Sequence, residues 1–568
     1  MFSELDKRAL AWRYAPWFAC AVVLLWHSLQ YNFVTDDAYI SFVYSRNFAE
    51  HGELVFNLGD RVEGYTNFLW TFILGVLMVF GLPPEIMSRV LGTGFALGTM
   101  FVVFRLVEYV YRKASAWDYM PAALLACSSG YACWSSGGLE TQMFTFFVSF
   151  ALYAYARADE EPRWLRYTTG ALALAAMTRP EGLLVITVFG VHRVAINLIR
   201  DRRWKPTRPE LIAVGVFFAI WAPWFLWRWW YYGHLFPNTY YVKAGGDAVR
   251  GLKPSAVRAF GLRYVNQWLH QTNVLYAFPL IIAGLCVAKP RGRRFFVGTA
   301  AAALGGVYLL YAIKVGGDFM GLHRFIMPVF VVSAIGMVFG VRLLVSLIKD
   351  KNIARYAAPA LAGLLLLGYG VDQVRLTKES LRWGNWPPAA IDTPSYLAVY
   401  TYDRAQIGKH MRKCFRKGDF SIVGGAGAQP YFGRMQAVDV FGLVSWDVAH
   451  CDPRRKARAG HPKWGGDALL YKQPRKGRSC PPRVSPKSNR RRWGKVTGGP
   501  PDFVFHCYAI HGSPRPPRLG RCGFWTSRGY KKITMHIPGM KQQGEYYTFF
   551  VHKDRVDQLR KDCGAMIQ

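Results

Sequence analysis

The sequence predicts a polytopic α-helical membrane protein with a mixed α/β domain at its C-terminal end. Three observations carry this. Long apolar runs fill residues 1–374, the polar breaks between them are short, and residues 375–568 turn polar and strongly basic. The 568-residue chain has formal net charge +36. The last third holds 36 Lys/Arg against 13 Asp/Glu, so most of the excess charge lies there. Runs of about 18 or more apolar residues can cross a bilayer as helices, and a succession of them excludes a soluble protein.

The first run, 15–34, follows Lys7, Arg8 and Arg13. No small-x-small cleavage site follows it, so it reads as a retained anchor. Further spans are expected at 86–111, 118–135, 140–157, 166–179, 182–199, 209–230, 271–288, 295–313, 325–348 and 355–373, eleven in all. The stretch 66–82, between "GYTN" and "GLPP", reads as an interfacial helix. With this choice the Lys/Arg clusters near residues 7–13, 112–113, 163–166, 200–208, 289–294 and 349–355 share one side, which the positive-inside rule makes cytoplasmic. An odd number of spans then places 375–568 outside, giving a membrane domain 1–374 and an extracytoplasmic domain 375–568. Six cysteines fall in the outer domain, enough for three disulfides in an oxidising compartment.

The outward islands carry the chemistry. Asp36 and Asp37 open "DDAYISFVYSRNFAEHG". Thr35 or Asp36 suits an N-cap, and the alternation of apolar and polar residues suggests an amphipathic interfacial helix. Adjacent residues do not share a helix face, so one aspartate can cap while the other faces a cavity as a single general base. In "GDRVEGYTN", Glu63 is read either as a surface partner of Arg61 or, with Tyr65 and Asn67, as a substrate contact. "GGLET" and "RPEGL" place Glu140, Arg179 and Glu181 at outer helix ends, where Arg179 and Glu181 can pair or bind. "KVGGDFMGLHRF" offers Asp318, His323 and Arg324. Arg324 either snorkels or, with His323, clamps phosphate. Lys243 after "FPNTYY" is another cation for the same task.

No Walker A motif, GxSxG elbow, HExxH or CxxC pair occurs. Nucleotide hydrolysis and covalent acyl transfer therefore lack their usual residues. "GGAGAQPYF" (424–432) is glycine-rich but lacks a nucleotide-fold context in sequence. A base plus cations suits group transfer from a lipid phosphate: the acceptor hydroxyl needs a base, and the leaving phosphate needs only charge stabilisation.

Together "DDAYISFVYSRNFAEHGELVFNLGDRVEGYTNFLW", "GGLET", "RPEGL", "FPNTYYVK" and "GGDFMGLHRF" resemble the GT-C superfamily of membrane glycosyltransferases, in particular the mycobacterial terminal arabinofuranosyltransferases. The likeness covers residues 15–330 and extends loosely to "GGAGAQPYFGRMQAVDVFGLV" (424–444). It implies a polyprenyl-phosphate sugar donor, an envelope glycan or lipid acceptor, and an inverting displacement on the outer face of a bacterial cytoplasmic membrane. It further implies that Asp36 or Asp37 is the base, with a lean to Asp36. Arg324, His323, Lys243 and Arg179 are then donor-phosphate ligands, and Glu63, Tyr65, Asn67, Glu140, Glu181 and Asp318 are substrate contacts. No cofactor is required by the resemblance, and a divalent metal near the loop acid is compatible with it. Membrane lipids are partners and nucleic acid is not. After Val444 the chain is more basic than the resemblance implies, and "GLVSWDVAHCDPRRKARAGHPKWGGD" (442–467) and "KQPRKGRSCPPRVSPKSNRRRWGK" (472–495) read as an anionic-polymer site or a solvated loop. A lipid-linked-sugar flippase, which would show inverted repeats and mid-membrane charges, and an envelope-binding scaffold are the alternatives.

Overall fold

The computed structural model describes residues 4–112, 115–243, 254–290, 292–386, 391–416, 418–451, 501–564 and 566–567. The basic stretch 452–500 lies outside the described residues. Contacts divide the chain into two compact units. The first is Met1–Phe33, Ser88–Trp224 and Arg258–Ser395, and the second is Val34–Met87, Phe225–Val257 and Tyr396–Gln568. The expectation set one boundary, at 374/375. The contacts instead group two earlier segments with the C-terminal part.

The first unit is a helical bundle. Helices Pro84–Tyr111, Gly182–Asp201, Arg208–Tyr232, Arg293–Val315, Gly321–Ser346 and Lys351–Ser380 are each long and apolar enough to cross a membrane. Pro254–Gln271 and Val274–Cys286 qualify only as a pair, bent by 92°. The expected span 118–135 is broken at Ser128 into Met120–Cys127 and Ser129–Ser136. Ser128 is extended there and caps the second helix through Tyr131 N–H. The expected spans 15–34, 140–157 and 166–179 are helical as Glu4–Leu29, Thr141–Ala158 and Leu165–Thr178. Phe68–Val79, in the second unit, is 12 residues long, about 18 Å at 1.5 Å per residue and short for a bilayer crossing.

Ion pairs mark two ends of the bundle. At one, Arg112 and Arg293 meet Glu160, Arg200 meets Asp159, and Arg13 meets Glu108. At the other, Arg179 meets Glu140 and Glu181, and Arg324 meets Asp318. Helices Thr141–Ala158, Leu165–Thr178, Gly182–Asp201 and Arg293–Val315 each run from one end to the other. The Arg-rich helix termini therefore gather together, apart from the "GGLET", "RPEG" and "GGDF" islands.

The second unit is built on a sheet. Strands β1 (Asn385–Trp386) and β2 (Ile391–Asp392) form a small hairpin in the first unit. Then β3 (Phe420–Val423), β4 (Gln436–Asp439), β5 (Phe503–His511), β6 (Tyr530–His536), β7 (Tyr546–His552) and β8 (Met566–Ile567) pair in the order β4-β3-β5-β7-β6-β8. The β3 pairs with β4 and β5 are parallel and the others antiparallel. Side chains alternate between faces, as the period of two requires. Phe503, Phe505, Phe549 and Val551 join one core together with Ile407 and Met411 of helix Pro394–Arg412. Val504 and Phe550 join the other core, with Trp525. Disulfides Cys414–Cys563 and Cys507–Cys522 staple this unit. Among the described residues these two bridges use four of the six cysteines expected to pair.

Helix Asp36–His51 packs on the first of these cores through Ile40, Val43 and Tyr44. It was expected to be amphipathic and interfacial, yet Ala38–Asn47 is buried on every side. Its polar residues tolerate this because they are satisfied. Ser45 donates to Thr71 O at 2.7 Å, Asn47 to Val55 O and Phe56 O at 2.8 and 2.9 Å, and Arg46 to Tyr431 O at 2.6 Å.

Candidate functional site

The second unit places Asp36 in a cradle of backbone. The chain leaves β3 through Gly424, Gly425 and Gly427 into the short helix Ala428–Gly433, then returns parallel as β4. This strand–glycine loop–helix context could not be seen in the sequence of "GGAGAQPYF". Ala428 N–H donates to Asp36 Oδ1 at 2.8 Å. A Cβ on Gly427 would stand 2.0 Å from the Asp36 carbonyl oxygen and 2.5 Å from its Oδ2. Only glycine allows so close an approach. A Cβ on Gly425 would lie 2.8 Å from Tyr400 Oη and 3.4 Å from Asp36 Oδ2, so the tyrosine and the carboxylate flank the same strip of backbone.

Neither expected cap forms. Thr35 occupies the N-cap position with no side-chain cap bond, and Asp36 turns to Ala428. The helix gains its favourable anion from the first-turn aspartates without a capping hydrogen bond.

Helix Pro394–Arg412 presents Tyr400 and Arg404 one turn apart. Arg404 is buried, donates to Gln429 Oε1 at 3.1 Å, and sits 4.0 Å from the Tyr508 ring centre and 4.9 Å from that of Tyr400. Burial pushes the Asp36 carboxyl up to about 6, against the pull of the Ala428 N–H and the Arg404 charge and with the push of Asp37. Asp37 also acts on Asp439, at the end of β4. Asp439 is buried and accepts Phe441 N–H at 2.9 Å and Leu443 N–H at 2.8 Å, fixing the loop after β4, and burial raises it to about 6. Asp439, Tyr400 and Arg404 were not picked out from the sequence. Asp439 stands inside a quoted motif, whereas Arg404 carries no local signal.

The other expected residues are engaged elsewhere. Glu63 is buried against Arg228, which donates through Nε at 3.1 Å to both carboxylate oxygens and again through Nη2. The surface pair with Arg61 is thus replaced, and Arg61 lies 4.5 Å over Tyr231. Burial still pushes the Glu63 carboxyl up, opposed by Arg228. Tyr65 shares a 2.9 Å hydroxyl contact with Tyr232, and Asn67 bonds Ser41 and Thr71. Lys243 is exposed at the end of helix Asn238–Lys243.

The first unit collects the remainder. Arg179 donates to Glu140 at 3.0 Å and Glu181 at 3.2 Å, under the Phe144 and Phe325 rings. Arg324 Nε meets Asp318 at 2.6 Å, and His323 Nε2 meets Gln271 Oε1 at 2.9 Å. Leu322 and His323 both have φ near 58°, a strained conformation for residues with side chains. Arg179 and Arg324, two of the four side chains expected to hold phosphate, therefore already face three carboxylates. Among the described residues no three His, Cys, Asp or Glu side chains gather as metal ligands.

No family model matches the chain. It is 26% identical over 410 residues, 67% of its length, to a terminal beta-(1->2)-arabinofuranosyltransferase of Corynebacterium glutamicum. It is 27% identical over 394 residues, 61% of its length, to the protein of the same name from Mycobacterium tuberculosis. The matched stretches span 57% and 59% of those two relatives. The fold is similar to that of ArnT from Cupriavidus metallidurans in the apo state, with TM-score 0.53 and 13% identity over 96% of this chain and 99% of that one. ArnT bound to undecaprenyl phosphate aligns with TM-score 0.51 and 14% identity over 76% and 86%. The archaeal oligosaccharyltransferase AglB from Archaeoglobus fulgidus, in complex with an inhibitory peptide and a dolichol-phosphate, gives 0.50 and 10% over 96% and 74%.

Proposed function

We propose that this chain, a homologue of terminal arabinofuranosyltransferases with the membrane fold of GT-C glycosyltransferases, transfers a sugar from a polyprenyl-phosphate donor to a hydroxyl of a cell-envelope glycan or lipid. Arabinofuranose is the sugar that the sequence relatives suggest. The observation that carries the reading is the glycine cradle around Asp36, which holds a half-buried carboxyl with its proton affinity raised to about 6. A base of that strength is poised to take a proton near neutral pH.

In this reading Asp36 takes the acceptor hydroxyl proton as that oxygen attacks the anomeric carbon. The bond from that carbon to the phosphate oxygen breaks on the opposite side, inverting the centre, and polyprenyl phosphate leaves with the electron pair. Asp439 fixes the loop after β4, and the negative charge of Asp37 strengthens Asp36 as a base. Arg404 keeps Asp36 from binding its proton too tightly. Arg179, Arg324, His323 and Lys243 remain the side chains assigned to the donor phosphate, with Glu140, Glu181 and Asp318 positioning the two guanidiniums. Glu63, Tyr65 and Asn67 support the acceptor side by fixing the loop that follows helix Asp36–His51. Two disulfides in the second unit, which holds Asp36, support an outward-facing site on the cytoplasmic membrane.

The test is reconstitution of the full chain with polyprenyl-phosphoryl arabinofuranose and an envelope glycan acceptor, with the anomeric configuration of the product read by NMR. Transfer with inversion is expected. Export of the intact lipid-linked sugar without transfer would replace this reading with the flippase alternative.

A further inference from the structure

At the Arg-rich end of the first unit, three side chains from three helices converge. Tyr111 closes helix Pro84–Tyr111, Arg294 is the second residue of Arg293–Val315, and Arg342 lies in the last turns of Met327–Ser346. The Arg342 guanidinium carbon stands 3.3 Å from the centre of the Tyr111 ring. The Phe339 ring meets Tyr111 edge-on at 5.6 Å and lies 6.0 Å from the Arg294 guanidinium carbon. Arg294 fixes its fork by donating from Nη2 to Gly284 O at 3.2 Å.

The charge at this place is not balanced. Arg13, Arg112, Arg157, Arg200 and Arg293, at the same end, each meet a carboxylate. Among the described residues Arg294 and Arg342 have no ion pair. Tyr111 Oη, Arg294 Nε and Arg342 Nη1 are buried with no hydrogen-bond partner among them. Neighbouring acids are taken: Glu160 serves Arg112 and Arg293, and Asp118, which attracts Arg342, holds Ser115 N–H at 2.8 Å and its hydroxyl at 3.2 Å. Two like charges with three unmet donors at a helix-bundle end are costly unless an anion joins them. The helix ends stand where lipid headgroups lie, and arginine forks with a hydroxyl suit a tetrahedral oxyanion.

We propose that Tyr111, Arg294 and Arg342 hold a phosphate group, supplied by the phosphodiester of an anionic phospholipid or by free phosphate. The site belongs to the first unit and is independent of the transfer chemistry assigned to Asp36.

The test uses the full chain in nanodiscs of phosphatidylcholine with and without phosphatidylglycerol, and in detergent with inorganic phosphate. Native mass spectrometry reads retained lipid and thermal unfolding reads stabilisation. Retention of phosphatidylglycerol over phosphatidylcholine is expected, and R294Q/R342Q should lower it about tenfold or more, as loss of charged hydrogen bonds implies. Y111F, which keeps the ring, should lower retention several-fold while leaving the melting temperature in phosphatidylcholine unchanged, and it decides the matter if the double variant does not fold. K349Q/K351Q, at exposed positions of the same end, should retain the lipid as wild type does. A melting shift with inorganic phosphate that Y111F weakens assigns the site to free phosphate. A shift with phosphatidylglycerol alone assigns it to the lipid. No preference for phosphatidylglycerol together with no response to phosphate, or equal retention in wild type, Y111F and R294Q/R342Q, overturns the proposal.

Discussion

Replacing Gly427 by alanine tests the Asp36 cradle from the backbone side, without touching a titratable group. The new methyl carbon would stand 2.0 Å from the Asp36 carbonyl oxygen and 2.5 Å from its Cγ and Oδ2. Ordinary non-bonded contact needs roughly 3.5 Å, so loop and helix start must separate by about 1–1.5 Å. A shift of about 1 Å at a reacting group costs on the order of 100-fold in rate, whereas overpacking costs about 1–3 kcal/mol of stability. Gly427→Ala should therefore lower kcat/KM about 100-fold or more while the protein still folds, as checked by its melting curve. The assay is transfer of radiolabelled arabinofuranose from its polyprenyl phosphate. The control is Gly424→Ala, whose methyl would meet only His506 at an ordinary 3.5 Å and should leave the rate within about twofold. Full activity in Gly427→Ala would refute the argument that close backbone approach holds Asp36 in its working position.

Other outcomes follow from the same geometry. Arg404→Gln removes a charge that favours ionised Asp36, so the acid limb of the kcat/KM profile should move to higher pH, and an unmoved limb counts against Arg404. Asp36 and Asp439 bind protons more tightly in the folded state than when unfolded, so their contribution favours folding as pH falls from 7 toward 4. Asp439→Asn should flatten that part of the stability curve measured by thermal unfolding. Arg228→Ala leaves Glu63 buried without its partner and should cost about 3–5 kcal/mol in chemical denaturation, more than Arg61→Ala. Removing Cys414–Cys563, which closes a sequence separation of 149, by Cys414→Ser with Cys563→Ser should destabilise by about 2–5 kcal/mol, seen as a lower melting temperature than wild type without reductant.

How much the sequence disclosed depended on the range of the signal. Helix segments were legible because apolar runs of bilayer length are local patterns, and Asp36, Glu140, Arg179, Glu181 and Asp318 stood out as polar islands between them. What escaped was pairing across hundreds of residues. Asp36 meets Ala428, 392 positions away, so "GGAGAQPYF" could not be tied to it by periodicity or spacing. The span 118–135 broke because Ser128 makes a cap inside an otherwise continuous apolar pattern, a local choice that hydropathy does not register. The burial of helix Asp36–His51 was hidden for a related reason. Its Ser, Asn and Arg residues read as a solvated face until their backbone partners in other segments were known. One missed residue did carry a signal: Arg228 is a lone charge in the aromatic run "FLWRWWYY", and an unshielded cation there calls for a buried acid, which Glu63 supplies.

The most direct measurement of the central claim is single-turnover sugar transfer by Asp36→Asn and Asp37→Asn beside wild type, in membranes, at pH 7.5, with donor binding measured separately. The account predicts that Asp36→Asn abolishes transfer while donor binding persists, and that Asp37→Asn slows transfer less. Transfer by Asp36→Asn at the wild-type rate would contradict it.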